Sequence, residues 1–195
     1  MIRSLALCVL FAVLPAICCA DDAGGPHAMD FDLGCWKTHS SRLMHPLSGS
    51  SEWRDMDGYT VVKPIWNGRA NIAEYKGAGP AGEVELLALR TYDPTTNQWY
   101  LNFSHPSSGK LDVPGVGVAN NGRIDFYDQE TLNGKAIWVR FSIWGISPDT
   151  AQSEQAFSVD AGKTWELNWV NHYTRVRTIG GQMANAVSPL QCGLL

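Results

Sequence analysis

Turn signals recur along this chain at intervals too short for helices. WNGRA, KGAGPAGE, DPTTNQ, HPSSGK, NNGR, LNGK, SPDT and DAGK punctuate residues 66–163. Each pairs Gly, Pro, Asn or Asp with the backbone freedom or side-chain bonding that a tight reversal needs. The segments between them are rich in Trp, Val, Ile, Tyr and Thr and run about five to ten residues, the dimensions of strands. No segment sustains an apolar repeat of 3.6 residues. The chain is therefore expected to be all-β, a single antiparallel barrel of about ten strands.

Alternation assigns faces to these strands, because successive side chains point to opposite sides. In QWYLNFSH, Trp99, Leu101, Phe103 and His105 share one face. In GRIDFYD, Ile124 and Phe126 oppose Arg123, Asp125 and Tyr127. In KTWELNWVNHYTR, strict alternation puts Trp165, Leu167, Trp169, Asn171, Tyr173 and Arg175 together, opposite Val170, His172 and Thr174. KAIWVRFSIW is ambiguous. Ile137, Val139, Phe141 and Ile143 form one face and Trp138, Arg140, Ser142 and Trp144 the other, and either suits a barrel interior.

The first twenty residues read differently. MIRSLALCVLFAVLPAICCA combines an early cation (Arg3), an apolar run from Leu5 to Leu14, a Pro15 break and a small residue at Ala20. That is the layout of a secretory signal peptide cleaved before Asp21, and the run is too short to span a bilayer. Export to the periplasm or beyond is the expectation. Cys18 and Cys19 offer a rival, lipid attachment, but Ile17 and Cys18 are poor residues to precede a lipidated cysteine. Residues 21–29 (DDAGGPHAM) read as a flexible leader, 30–178 as the barrel, and 179–195 as a weakly patterned tail. The 175 residues from Asp21 suit one domain. Their net charge of −5, with no Lys/Arg cluster, argues against nucleic acid as a partner.

Once the leading segment is removed, two cysteines remain, Cys35 and Cys192. In an oxidising compartment they are expected to form one bridge that ties the tail to the first strand. On the loop-entropy argument the bridge contributes about 4–5 kcal/mol, less any strain.

Ser158-Val159-Asp160-Ala161-Gly162-Lys163-Thr164-Trp165 reads S-x-D-x-G-x-T-W and looks like the Asp-box of sialidases and related propellers. There the box recurs once per blade; here it occurs once, and no repeat accompanies it. It is expected to mark a β-turn, with Asp160 accepting from turn amides.

Gly34-Cys35-Trp36 enters the first strand as G-x-W, and Arg175 closes the last. This resembles the calycin superfamily, in which such a tryptophan packs under a basic residue at the closed end of the barrel. DFDLGCW, the block from Ser51 to Tyr75, LRTYDPTTNQW and AFSVDAGKTWELNWVNHYTR, in that order, resemble a bacterial family of secreted or periplasmic barrels within it, a domain of unknown function. The resemblance runs from about Asp30 to Arg175. It implies a fold related to lipocalins, fatty-acid-binding proteins and nitrobindins, with Trp36 and Arg175 closing the barrel, and it implies no reaction.

Calycin barrels enclose a cavity, so inward residues are the candidates for chemistry. Arg42 shares the Trp36 face further towards a mouth, where it suits a carboxylate or phosphate. His105 ends the Trp99–Phe103 face at a rim position. Trp138, Arg140 and Trp144 make a polar–aromatic constellation if their face is internal. The expected ligand-binding set is Arg42, Trp99, Phe103, His105, Trp138, Arg140 and Trp144. His172 sits near the chain position of the haem-binding histidine of nitrobindins, which makes haem the one cofactor considered; otherwise none is expected. No metal site is expected, since His39 and His45 lack further ligands. Catalytic patterns such as G-x-S-x-G, H-E-x-x-H and C-x-x-C are absent from the sequence. Glu52, Asp55, Asp57 and Glu74 are the carboxylates weighed as acids or bases. The leading expectation is an exported barrel that binds a small, partly apolar ligand. The alternatives are a hydrolase- or isomerase-type enzyme in the same cavity, a haem protein, and a packed scaffold.

Overall fold

The computed structural model describes residues 24–176 and residue 192. The signal-peptide and lipidation readings, and the tail apart from Cys192, lie outside the described residues. A single 3-10 turn, Asp30–Asp32, precedes ten strands: β1 Gly34–Leu43, β2 Trp53–Ile65, β3 Ala70–Gly79, β4 Gly82–Asp93, β5 Gln98–Ser104, β6 Gly115–Asn120, β7 Arg123–Leu132, β8 Lys135–Ser147, β9 Thr150–Ser158 and β10 Glu166–Arg175. Each strand pairs antiparallel with its sequence neighbour, and β1 pairs with β10 to close the barrel. Short turns explain the meander, since two-residue connections such as Asn121-Gly122 and Asn133-Gly134, all at positive φ, reverse the chain directly. Among the described residues, closure leaves no unpaired edge strand.

One end is plugged. Met29, Trp36, Trp99, Ile124, Ile143 and Tyr173 are buried there in one cluster, with Phe31 and Tyr92 against it. Within the stretch 21–29, expected as a flexible leader, Met29 is buried in this plug and the Gly25 carbonyl accepts from Trp99 Nε1 at 3.3 Å. Met29 supplies apolar volume that the barrel end would otherwise expose.

The G-x-W element has a physical cause. Trp36 Nε1 donates to the Asp32 carbonyl at 2.7 Å, and the Arg175 guanidinium lies 3.9 Å from the Trp36 ring centroid. Arg175 also donates to the carbonyls of Leu33, Phe31 and Pro148. Gly34 has φ +117°, and a Cβ there would stand 2.9 Å from Arg175 Nη1. Only glycine permits both the backbone turn and the close guanidinium. Cys35 points the other way. Its disulfide to Cys192 spans a Cα–Cα distance of 5.8 Å on the outer surface and is buried with Val61, beside Tyr59 and Val176.

Two strand readings are decided by the fold. On β8, Ile137, Val139, Phe141 and Ile143 are buried inside, so Trp138, Arg140 and Trp144 face out. On β10 the alternation breaks: a bulge shifts register between Leu167 and Trp169. Trp165 and Leu167 therefore lie outside, while Trp169, Asn171 and Tyr173 face in, a correction to the single face expected. A bulge inserts one residue and flips everything beyond it.

The S-x-D-x-G-x-T-W segment is the β9–β10 turn. Asp160 Oδ1 accepts from Thr164 N at 2.9 Å, Asp160 Oδ2 accepts from the Thr164 hydroxyl at 2.6 Å, and Trp165 Nε1 donates to the Gly162 carbonyl at 3.0 Å. These bonds, those from Thr164 foremost, hold the Asp160 carboxyl down at about 2.

Candidate ligand-binding cavity

The end opposite the plug opens into a cavity of about 610 Å³. Its walls are mixed: Phe103, Phe141, Phe157, Leu43 and Leu86 stand beside polar side chains such as Arg90, Gln155, Asn168 and Asn171. Phe103 and Phe141 meet edge to face, with centroids 5.4 Å apart. The β1–β2 loop contributes Met44, His45, Pro46 and Ser48 at the mouth. It is fastened to the barrel by Leu47 N, which donates to Glu166 Oε1.

A polar network crosses the interior. Trp169 Nε1 and Ser40 Oγ both donate to Asn171 Oδ1, at 2.8 and 2.6 Å. Asn171 Nδ2 donates to Ser153 Oγ at 2.9 Å, and Ser153 lies 2.8 Å from the Tyr173 hydroxyl. Because an indole N–H can only donate, the Asn171 oxygen must face Trp169. Ser40 then has its one proton committed to Asn171, so the Tyr75 hydroxyl, 2.8 Å away, donates to Ser40. The Tyr75 oxygen keeps lone pairs free as an acceptor. Burial pushes the Tyr75 phenol up, opposed by its hydrogen bond with Ser40. Burial raises Tyr173 further, with the Asp32 charge adding to it. Both phenols are therefore neutral donors and acceptors at ordinary pH. Gly77 makes room for Tyr75, since a Cβ there would lie 2.2 Å from its hydroxyl oxygen.

Arg90 on β4 also lines the cavity and is 4% exposed. Its Nη1 donates to Asp32 Oδ2 at 2.5 Å and to Asn71 Oδ1 at 3.2 Å. Its Nε is buried without a partner among the described residues.

The rim is acidic on one side. His105, Asp112 and Glu130 line it, and Asp128 shares the inner face of β7 with Phe126 and Glu130. Burial first, then the charges of Glu130 and Asp112, hold the Asp128 carboxyl up at about 7. Its Oδ1 is buried without a partner among the described residues. Glu130 is raised too, by burial and Asp112, against the opposing effect of His105. Among the described residues no group of three or more His, Cys, Asp or Glu side chains is placed to hold a metal ion.

Of the residues expected to bind ligand, Arg42, Phe103 and His105 line the cavity. Arg42 also lies over Trp169, its guanidinium 5.1 Å from the ring centroid. Trp99 is fully buried in the plug, where it packs on Tyr92. Trp138, Arg140 and Trp144 are outside: Arg140 stacks on Trp165 at 4.8 Å, and Trp144 carries Arg123 at 4.4 Å. β8 buries its Ile/Val/Phe face because that face removes more apolar surface from water. His172 is exposed on the outer face, paired in register with His39. It shares a shallow groove with Lys37, Asp57 and Tyr59, away from the cavity. Glu52, Asp55, Asp57 and Glu74 are exposed; the first three bond Arg54, Ser41 and His39.

Arg90 was legible as an anomaly, because alternation sets it on the face of Leu86, Ala88 and Tyr92. Asp128 and Glu130 likewise continue the apolar face of Ile124 and Phe126. Ser40, Asn171 and Ser153 gave no such signal.

No family model matches the sequence, and no curated protein matches it. Among solved structures, EF1p2_mFAP2b bound to DFHBI is 12% identical over 77% of this chain and 98% of its own, with a TM-score of 0.42. A redesigned beta barrel, b11L5F_LGL, is 12% identical over 76% of this chain and 95% of its own, with a TM-score of 0.40. At that level the similarity carries no functional information.

Proposed function

We propose that this protein is an exported, calycin-like barrel that binds a small, partly apolar ligand in its cavity. The observation that carries the reading is the cavity itself: about 610 Å³, walled by Phe103, Phe141 and Phe157 and crossed by oriented polar groups. Pockets for small molecules combine such apolar walls with a few placed donors and acceptors. Arg42 and His105 at the rim add polar contacts to the ligand. The Trp36–Arg175 closure supports the calycin relation, and the Cys35–Cys192 bridge supports an oxidising compartment.

Native mass spectrometry of the chain from Asp21, purified gently from its export compartment, tests this. A discrete bound organic mass is expected. An apo mass, together with no binding across a library of small aromatic and aliphatic compounds, would overturn it. The same spectrum identifies haem by its mass, and here His105 at the rim is a better-placed ligand than the surface His172.

A second reading, an enzyme in the same cavity, is favoured by the rim carboxylates. A carboxyl held near neutrality is poised for proton transfer. In this reading Glu130 and Asp128 would be the acid and base of a hydrolase- or isomerase-type reaction. Bound substrate turned over with a rate that falls on Glu130→Gln substitution is the expected signature.

A further inference from the structure

Two arginines among the described residues line the cavity, and they differ in their partners. Arg90 meets the Asp32 carboxylate, with both side chains deeply buried. Arg42, half-buried on β1, has no such partner. Among the described residues it forms no ion pair, and none of its side-chain N–H groups makes a hydrogen bond. Neighbouring carboxylates are engaged: Glu52 pairs with Arg54, which faces Arg42 in register, and Glu166 accepts from Leu47 N. The contact that holds the Arg42 guanidinium is the Trp169 ring, 5.1 Å away. That ring is itself fixed, because its Nε1 donates to Asn171 Oδ1 at 2.8 Å. Arg42 is therefore a placed cation with its donors open, and a guanidinium in that state takes a carboxylate through two parallel bonds.

The surroundings of Arg42 constrain the rest of the ligand. Arg42, Trp169, Gln155 and Phe141 form one row in register across β1, β10, β9 and β8, and each lines the cavity. Gln155 brings an amide that makes no side-chain hydrogen bond among the described residues. Beyond it Phe141 meets Phe103, so the row passes from charged to apolar. The far wall has the opposite sign. Asp112 and Glu130 line it beside His105, and Glu130 stands on β7, reached from β1 through β10, β9 and β8. Those carboxylates would repel an anionic group, so an anion has one wall to settle on. We infer that the cavity takes an apolar carboxylate, its anionic head on Arg42 and Gln155 and its aromatic or aliphatic body against Phe141 and Phe103. This rests on the cavity-binding reading above and names its ligand class.

Three probes that share one ring system test this by calorimetry at neutral pH: 2-naphthoate, 2-naphthamide and 2-naphthylmethylamine. They are an anion, its neutral isostere and a cation. The unaltered protein is expected to bind naphthoate at least about tenfold tighter than naphthamide, as charge-assisted hydrogen bonds imply, and tightest of the three. Arg42→Gln should bring naphthoate and naphthamide to within about twofold of each other. Arg42→Lys is the second arm: it keeps the charge without the planar fork and should leave an advantage between those two values. The ranking in the unaltered protein decides the matter even where a variant fails to fold. Equal affinity for naphthoate and naphthamide, or the amine binding tightest, overturns the carboxylate selection and leaves cavity binding standing. A naphthoate advantage undiminished in Arg42→Gln overturns Arg42 as the anchor. No binding by any probe removes the cavity-binding reading itself, and this inference with it.

Discussion

Asp128→Asn is expected to stabilise the barrel at pH 8 and to do little near pH 4. The Asp128 carboxyl sits at about 7 in the folded protein against an ordinary 3.8, from burial and the neighbouring charges of Glu130 and Asp112. Its folded value is raised, so between those two values the native state holds a proton that the unfolded chain has lost. Stability attributable to this group is then greatest below about pH 4, falls as pH rises towards 7, and stays at its low value above. In a fully dry site the penalty would approach about 4 kcal/mol. Asp128 is only half-buried, and solvent screening reduces the figure to about 1–2 kcal/mol. Asparagine has the same shape and no charge, so it removes that penalty and leaves Phe126 and Gly115 undisturbed. Urea unfolding of both proteins at pH 4 and pH 8 is the assay, with Arg123→Lys on the outer face of β7 as a control. An equal gain at both pH values, or a loss at pH 8, would refute the reasoning. Either result would mean that Asp128 is ionised at no cost or makes a bond needed by the fold.

Other consequences follow from the same structure. Replacing both Cys35 and Cys192 with alanine should lower stability by about 4–5 kcal/mol, the loop-entropy value for so long a closure, and added reductant should reproduce the loss in the unaltered protein but not in the variant. Arg175→Ala removes three carbonyl bonds and the Trp36 stack and should cost about 3 kcal/mol, seen as a lower urea midpoint with the Trp36 environment changed in near-ultraviolet dichroism. Arg140→Ala, which breaks only an outer stack on Trp165, should leave every cavity affinity unchanged and cost about 0.5–1 kcal/mol. Asp160→Asn should lower the unfolding midpoint at pH 7. That difference should shrink as pH falls from about 4 to 2, because the folded carboxylate lies below its unfolded value and its contribution is lost on protonation.

Much of the fold was written locally. Asn-Gly and Asp-Pro turns, and alternation over Trp99–Phe103 and Ile124–Phe126, need only neighbours within a few residues to act, so they are readable without a structure. The Asp160 turn and the G-x-W glycine are of the same kind. The disulfide was accessible by elimination. The site was mostly not. Which face of β8 turns inward depends on what the other strands present, and the bulge that reverses β10 at Asn168 leaves no mark in the alternation around it. The functional groups of the cavity are long-range pairs: Arg90 meets Asp32 across 58 residues, and Ser40 meets Asn171 across 131. A single sequence can flag Arg90 as a charge on an apolar face. It cannot say that the charge is cancelled, because cancellation is decided only when closure of the barrel brings the 3-10 turn beneath β4. The sequence by itself therefore determined the strands, the turns and the closing motif, each governed by short-range sterics and periodicity. Tertiary structure alone decided the interior, because burial and pairing belong to the assembled barrel.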